Sequence, residues 1–207
     1  MNGRLAAVVF ATLVGTPARG AELTTAVGEP LQALQESRYQ RNARSAWAYG
    51  GLGAVDLSAG GVTALSLDMP ATGLAGVGAG LLQGIVAGYE LDITRRRSAS
   101  WERNWAYVPS TSDERALGLA EEARLQCERQ ARGNALAVGL HLGLGAAGAV
   151  LAVTSEDPDW RGAGYVGIGW AVAGAVHHGA RWRASVRYAT DLHLLRARVP
   201  TQVPGVR

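Results

Sequence analysis

The stretch YQRNARSAWAYGGLGAVDLSAGGVTALSLDMP, residues 39–70, has a second copy 88 positions later, CERQARGNALAVGLHLGLGAAGAVLAVTSEDP, residues 127–158. The copies align without a gap, and their shared positions include Arg41/Arg129, Arg44/Arg132, Gly51/Gly139, Gly60/Gly148 and Pro70/Pro158. Each copy continues through a short polar tip into a second glycine-rich apolar run that ends in arginines. Such a repeat marks the duplication of one supersecondary unit, so the sequence predicts two helical hairpins.

The two hairpins contain four apolar runs, each long enough to cross a bilayer as a helix. The runs are Ala46–Leu67, Ala71–Leu91, Asn134–Thr154 and Gly162–Ala180. Aromatic side chains fall near their ends, as they do at membrane boundaries. We therefore predict an all-α fold, a membrane helical bundle of two duplicated glycine-rich hairpins (four membrane helices) with amphipathic flanking helices. The alternative is a soluble protein in which the same small residues line interior helices.

The predicted hairpins occupy residues 46–92 and 134–181. The other predicted segments are an export signal at 1–20, a polar and amphipathic stretch at 21–45, a basic interfacial segment with an amphipathic helix at 93–133, and a basic tail at 182–207. The signal is indicated by Arg4, the apolar run Leu5–Gly15 and the small-x-small pattern at residues 18–20. An uncleaved anchor is the alternative interpretation of the same residues.

Composition favours a membrane partner over nucleic acid. Hydrophobic residues make up 48% of the chain, yet it has 28 glycines and a single phenylalanine, which suits closely packed helices. The net charge is +3, but the arginines flank apolar segments instead of forming a polar basic face. Anionic lipid headgroups are therefore the expected partner of these arginines. Cys127 is the only cysteine, which excludes an internal disulfide and a multi-thiolate metal site in a monomer.

The charge distribution and the export signal disagree about the compartment. Most arginines fall at the base of the proposed hairpins, whereas the acidic residues Asp68, Glu156, Asp157 and Asp159 fall at the tips. The positive-inside rule places an arginine-rich base in the cytoplasm, but a cleaved signal exports it. We expect the outer membrane of a bacterial envelope, because weakly hydrophobic hairpins can pass through the export machinery. An inner-membrane protein is the alternative.

Small residues at regular spacing predict helix-packing faces. The second apolar run has glycine at every fourth position, and the third run carries a similar stripe. The predicted helix-packing residues are Gly76, Gly80, Gly84, Gly88, Gly139 and Gly143. In lipid, helices associate through close van der Waals contact along such faces. The stripe on the second run either packs the bundle internally or joins it to another molecule.

With this glycine pattern and its exported context, the hairpins resemble the glycine-zipper two-helix membrane proteins of bacterial envelopes. The resemblance covers the hairpins only. This chain has no lipidated cysteine after the signal and carries two hairpins instead of one. The resemblance implies a structural or stress-related envelope role, and it transfers no catalytic residue.

Trp101 and Trp105 lie four residues apart among arginines, so on a helix they share one face. A basic segment of this kind is predicted to lie in the headgroup region, with both tryptophans interfacial. The alternative is a solvated segment whose tryptophans cover one end of the bundle.

Asp56, Glu90 and His141 are the candidate buried polar residues of the apolar runs, and His177 and His178 are expected to reach the headgroups. Ionisable groups within a membrane commonly face a partner, a cavity or a site. Their spacing matches no metal-ligand motif, and the chain has no nucleophile elbow or phosphate loop. We therefore predict no catalytic residue, no cofactor and no metal, and expect a structural pairing of Asp56 with His141 or with an arginine.

The resulting expectation is a non-enzymatic, multi-pass envelope membrane protein that acts as a structural or assembly component. Its expected partners are the lipid bilayer and either a second copy of the chain or another envelope protein. The competing hypothesis is a small transporter or channel component in which Asp56 and His141 line a polar path.

Overall fold

The computed structural model describes residues 28–106 and 113–197, and these residues form four α-helices. The helices are α1 (Gly28–Ser66), α2 (Pro70–Ala106), α3 (Asp113–Thr154) and α4 (Pro158–Ala197). The all-α prediction is confirmed for this part of the chain. The predicted export signal at 1–20 lies outside the described residues.

Each helix is about twice as long as a membrane span. The helices have 37 to 42 residues, which corresponds to about 60 Å at about 1.5 Å per residue. A bilayer core is only about 30 Å thick. The predicted flanking helices and apolar runs are therefore continuous, so that every helix has one apolar half and one arginine-rich half.

Proline begins the second helix of each hairpin. Pro70 starts α2 and Pro158 starts α4, and proline is favoured there because the first amide of a helix has no intrahelical acceptor. Asp68, just before α2, has a positive φ of 52°, a left-handed conformation that the short polar aspartate side chain tolerates better than most. The short tips therefore reverse the chain between antiparallel helices.

Within each hairpin, the two helices pack closely at an equivalent pair of glycines. A Cβ added to Gly60 would lie 2.8 Å from the backbone carbon of Gly76, and one added to Gly148 would lie 2.9 Å from the carbonyl oxygen of Gly164. Both pairs are related by the 88-residue repeat. The duplication predicted from the sequence therefore recurs as a repeated helix crossing.

Both hairpins point the same way. Asp159 at the tip of the second hairpin contacts the first residues of α2. At the opposite end, the helices bury a shared apolar core, which we call the base core: Leu31, Trp105, Ala116, Ala120, Ala123, Cys127, Tyr188 and Leu192. The arginine-rich halves thus lie together at one end, and the acidic tips lie together at the other.

Two of the four helices are long and apolar enough to cross a membrane. They are α2, where the mean hydropathy reaches 1.4, and the stretch Arg115–Thr154 of α3, where it reaches 2.0. The described parts of α1 and α4 have a mean hydropathy too low for a candidate membrane span. Glycine, serine and ionisable side chains interrupt their leucines and valines. Length and composition therefore identify two candidate membrane spans, and the predicted set of four is not confirmed.

Candidate functional site

A polar cluster joins the two hairpins midway along the bundle. Glu90 of α2 lies between two residues of α4: His177 Nε2 and Arg181 Nη1 each lie 2.9 Å from Glu90 Oε2. On the other side of the His177 ring, Nδ1 lies 3.1 Å from the Ser45 hydroxyl of α1. Tyr49 stacks on the same ring, with 4.3 Å between centroids. His177 therefore connects three helices.

The polar layer continues into α3 through His178. Its Nδ1 lies 3.1 Å from Oδ1 of Asn134, and its ring lies 5.3 Å from the ring of His141. The His141 ring occupies space that only a glycine leaves open, because a Cβ at Gly174 would lie 1.9 Å from Cδ2 of that imidazole. All four helices thus contribute to the layer. We call Glu90, His177, His178 and Arg181 the histidine–glutamate cluster.

The cluster is shielded from water by the surrounding helices. The side chains of His177, Arg181 and Glu90 are 6%, 9% and 11% exposed, respectively. Two turns towards the tips, Gln83 is fully buried, and neither atom of its amide has a hydrogen-bond partner among the described residues. Charged groups withdrawn from water are costly unless they are paired. Glu90 meets this requirement through His177 and Arg181.

The structure separates the three predicted polar residues. Glu90 lies in the cluster and His141 beside it. Asp56 is partly exposed on α1, and no hydrogen bond or ion pair joins it to His141 in the described part of the chain. The expectation that His177 and His178 reach the headgroups differs from their observed positions, since both face neighbouring helices. Glu90 and His178 are 88 residues apart, which is the spacing of the repeat, but this spacing does not predict that their side chains meet.

A second contact between the hairpins lies at the tips. The amides of Ala71 and Thr72, at the start of α2, donate to the two carboxylate oxygens of Asp159 at 2.8 Å each. The Thr72 hydroxyl donates to the Asp159 carbonyl oxygen at 2.7 Å. The side chain of Asp159 therefore caps a helix of the other hairpin, and we call this contact the tip cap.

The repeat explains why α2 takes its cap from elsewhere. In α4, Asp157 accepts the first helical hydrogen bond through its carbonyl oxygen and also accepts the Asp159 amide through its carboxylate. The equivalent position before α2 is Met69, whose carbonyl likewise accepts the first helical bond, from Gly73. A methionine side chain cannot accept these amide bonds strongly. Asp159 supplies the missing acceptor.

Two effects act on the pKa of Asp159. Desolvation raises it, but the hydrogen bonds donated by Thr72 and Ala71 outweigh that effect, so the pKa lies below its ordinary value. The positive end of the α2 dipole favours the same charged form. Asp159 therefore caps α2 as a carboxylate at neutral pH.

The structure divides the predicted packing glycines into two groups. Added Cβ atoms at Gly76 and Gly80 would lie within 3 Å of α1 backbone atoms. The others have open space around the Cβ position within 4 Å, and they are Gly84, Gly88, Gly139 and Gly143. Because a helix has about 3.6 residues per turn, every fourth residue advances by about 40° around it. The stripe thus turns away from α1.

The observed seam of α2 alternates steps of three and four residues. Its buried members are Gly73, Gly76, Ala79, Gly80, Gln83 and Ala87. An average step of about 3.5 residues keeps one face towards a partner helix over several turns. The four-residue pattern does not predict the other glycines that make close helix contacts, because they do not form a four-residue series. These glycines are Gly53, Gly60, Gly73, Gly148 and Gly164.

The predicted interfacial tryptophans lie at the base end. Trp105 is buried in the base core, and Trp101 packs partly buried against it. Their rings stack with 5.4 Å between centroids. Trp101 retains partial exposure, and contact of this segment with headgroups stays a prediction.

Comparisons of the chain with protein-family models, with curated proteins and with solved structures find no match.

Proposed function

We propose that this chain is a non-enzymatic, multi-pass membrane protein of a bacterial cell envelope that acts as a structural or assembly component. In this proposal the apolar halves of all four helices cross the bilayer. The arginine-rich halves and the base core lie outside it as a water-exposed domain.

The observation that carries the proposal is that, in the apolar halves of the helices, large apolar side chains face outwards and small residues face inwards. A water-soluble domain has the opposite arrangement. All but four of the exposed large hydrophobic side chains belong to the hairpins at 46–92 and 134–181, and the exceptions are Leu125, Trp182, Val186 and Leu194. Among the described residues, no leucine, isoleucine or valine of the four apolar runs is buried. The interior there is mostly glycine and alanine. A water-soluble domain buries its leucines, whereas helices in lipid pack through small residues and expose large ones.

The two candidate spans add support. Only 6% of the most apolar stretch of α3 and 33% of that of α2 is buried inside the protein. A core helix of a soluble protein would be mostly buried. The charge-free part of α2, Ala71–Tyr89, is about 28 Å long at about 1.5 Å per residue, which is close to the thickness of a bilayer core.

A cysteine-accessibility experiment tests membrane insertion. Cys127 is replaced by Ala, and single cysteines are placed at Leu142, which is 62% exposed, and at the exposed Gln32 of the base. In isolated membranes, a water-soluble maleimide is expected to label position 32 and not position 142, because lipid covers the latter. After solubilisation and unfolding, both are expected to react. Equal labelling of the native protein, or recovery in the soluble fraction, would contradict the proposal.

Sidedness is tested by a third cysteine at Ser155 in the tip. An impermeant reagent applied to intact cells is expected to label either the tip or the base, since the two ends face opposite compartments. Sequencing of the mature N-terminus and separation of the inner and outer membranes then distinguish export to the outer membrane, which we favour, from an inner-membrane location.

Assembly with a second copy is supported by the glycines that the hairpins do not use. Gly84, Gly88, Gly139 and Gly143 are exposed within the apolar halves, where small residues allow another helix to approach closely. Replacing Gly84 and Gly88 by Leu is expected to abolish cross-linked oligomers while leaving the fold intact. Unchanged cross-linking would remove self-association from the proposal and leave another envelope protein as the partner.

The transport alternative is supported by one observation, the buried polar layer that includes Glu90 and His141. Polar groups at membrane depth often mark ion pathways. Proton flux into liposomes that contain the purified protein, and its loss in Glu90→Gln and His141→Ala variants, would establish this activity; the predicted path through Asp56 would also require its loss in Asp56→Asn. Flux no greater than that of empty liposomes would exclude it.

A further inference from the structure

We propose that Glu90, His177 and His178 form a binding site for a divalent transition-metal cation that joins the two hairpins. The proposal adds to the structural role proposed above and does not depend on it. One ligand atom from each of the three side chains lies within 4.8 Å of the other two. This separation is wider than that of ligands around a bound ion, so binding requires the three side chains to move towards one another.

The hydrogen bonds of the histidines prepare their rings for coordination. Nδ1 of His177 faces the Ser45 hydroxyl, and Nδ1 of His178 faces the Asn134 oxygen. Each ring therefore has its Nδ1 occupied by an oxygen partner, and Nε2 remains as the ligand atom. Histidines that bind metals are typically held in this way, with the second ring nitrogen fixed by an outer hydrogen bond.

His141 repeats the arrangement beside the site. Its Nδ1 lies 2.8 Å from the carbonyl oxygen of Ala137. A carbonyl only accepts hydrogen bonds, so Nδ1 donates to it and Nε2 is the second ring nitrogen. This buried Nε2 has no hydrogen-bond partner in the described part of the chain. His141 thus places a third imidazole ring beside the site, in addition to the three proposed ligands.

The charge of the cluster is compatible with a bound cation. Arg181 donates to Oε2 of Glu90, and the carboxylate has a second oxygen, Oε1. Glu90 can therefore keep Arg181 on one oxygen and present the other to a metal. The cation takes the place of the hydrogen bond between His177 Nε2 and Glu90, and it binds the neutral imidazole through Nε2 while the single ring proton lies on Nδ1, facing Ser45.

The donor set indicates which cations bind. Two imidazole nitrogens and one carboxylate oxygen suit Zn²⁺ and its spectroscopic substitute Co²⁺. Ca²⁺ and Mg²⁺ require shells made largely of oxygen and are not expected to bind. Because Glu90 belongs to the first hairpin and both histidines belong to the second, a bound cation fixes one hairpin to the other.

The test uses the full chain, purified without a histidine tag and freed of metal with a chelator. Titration with Co²⁺ is expected to give one equivalent of bound metal and the visible absorption of a low-coordinate nitrogen/oxygen site. Zn²⁺ is expected to displace Co²⁺ and to raise the thermal unfolding midpoint, because a ligand of the native state stabilises it. Mg²⁺ serves as the negative control.

Variants then assign the ligands. Glu90→Gln and His178→Ala are each expected to weaken Zn²⁺ binding by at least about tenfold. His193→Ala removes an exposed imidazole of the same helix and is expected to bind as the parent does. Far-ultraviolet circular dichroism confirms that each variant folds.

The measurement on the unmodified chain decides the proposal even when a variant fails to fold. Absence of stoichiometric Co²⁺ and Zn²⁺ binding by the parent protein would overturn it. So would binding that the His193 variant loses, or that folded Glu90 and His178 variants retain in full.

Discussion

Replacing Gly80 by alanine is expected to destabilise the first hairpin, whereas the same replacement at Gly84, one turn away on the same helix, is not. A Cβ at Gly80 would lie 2.4 Å from the carbonyl oxygen of Gly53 and 2.5 Å from the amide nitrogen of Leu57. Both are backbone atoms and cannot rotate away. The added methyl group therefore forces α1 and α2 apart.

The size of the effect follows from two opposing contributions. Ordinary contact begins near 3.4 Å, so the Cβ at Gly80 is about 1 Å too close to α1. Overpacking of this kind costs about 1–3 kcal/mol, while alanine in place of glycine favours a helix by about 0.5–1 kcal/mol. The net cost at position 80 is therefore about 0–2.5 kcal/mol. At Gly84 nothing lies within 4 Å of the added atom, so only the favourable contribution remains.

Thermal unfolding followed by circular dichroism, with all proteins in one mild detergent, measures the difference. The two alanine variants are expected to differ by about 1–3 kcal/mol, or about 2–12 °C in midpoint for a chain of this size. Because the substitution is identical and the positions are one turn apart, changes in helix propensity cancel. Equal midpoints, or a lower midpoint for Gly84→Ala, would show that the observed seam between α1 and α2 is wrong.

Three further predictions concern the repeat and the tip cap. Gly164→Ala should lower the unfolding midpoint as Gly80→Ala does, because its Cβ would lie 2.6 Å from the Ala152 amide nitrogen; equal behaviour of Gly143→Ala, which is unobstructed, would argue against this. Asp159→Ala should lower the unfolding midpoint by removing the cap of α2. Adding Met69→Asp should restore much of the loss, because it supplies a cap within the same hairpin. Failure of this rescue in a folded double variant would contradict the tip cap. The lowered pKa of Asp159 means that its stabilisation is fully present above the unfolded-state value of about 4 and is lost as pH falls through the folded-state pKa. The midpoint difference between parent and Asp159→Ala, measured from pH 7 downwards, should therefore stay constant until pH falls below about 4, and a difference lost between pH 7 and 5 would refute this assignment.

Much of the fold could be predicted from the sequence, because the signals are local or are repeated. Apolar runs of about 20 residues indicate long helices, and Pro70 and Pro158 mark where the second helix of each hairpin begins. The 88-residue repeat indicates two similar hairpins. In the same alignment Met69 stands opposite Asp157, and only the structure shows that Asp157 accepts a backbone amide at the start of its own helix.

The rotation of each helix about its axis could not be predicted with the same accuracy. A four-residue glycine series and a seam averaging 3.5 residues coincide at Gly76 and Gly80 and diverge by Gly84, since each four-residue step advances by about 40°. The choice between them depends on the angle at which α1 crosses α2. That angle is a property of both helices together, so the sequence of one helix does not specify it.

The polar contacts between hairpins depended entirely on the tertiary structure. Glu90 and His177 are 87 residues apart, as are Thr72 and Asp159. No local periodicity relates such positions, and Asp56, which lies in an equally apolar run, does not join the cluster. The sequence by itself determined four long helices in two parallel hairpins, because helix length, termination and duplication are properties of consecutive residues. The docking of one hairpin on the other decided which ionisable groups meet, because a displacement of one turn, about 5.4 Å, is enough to separate Glu90 from His177.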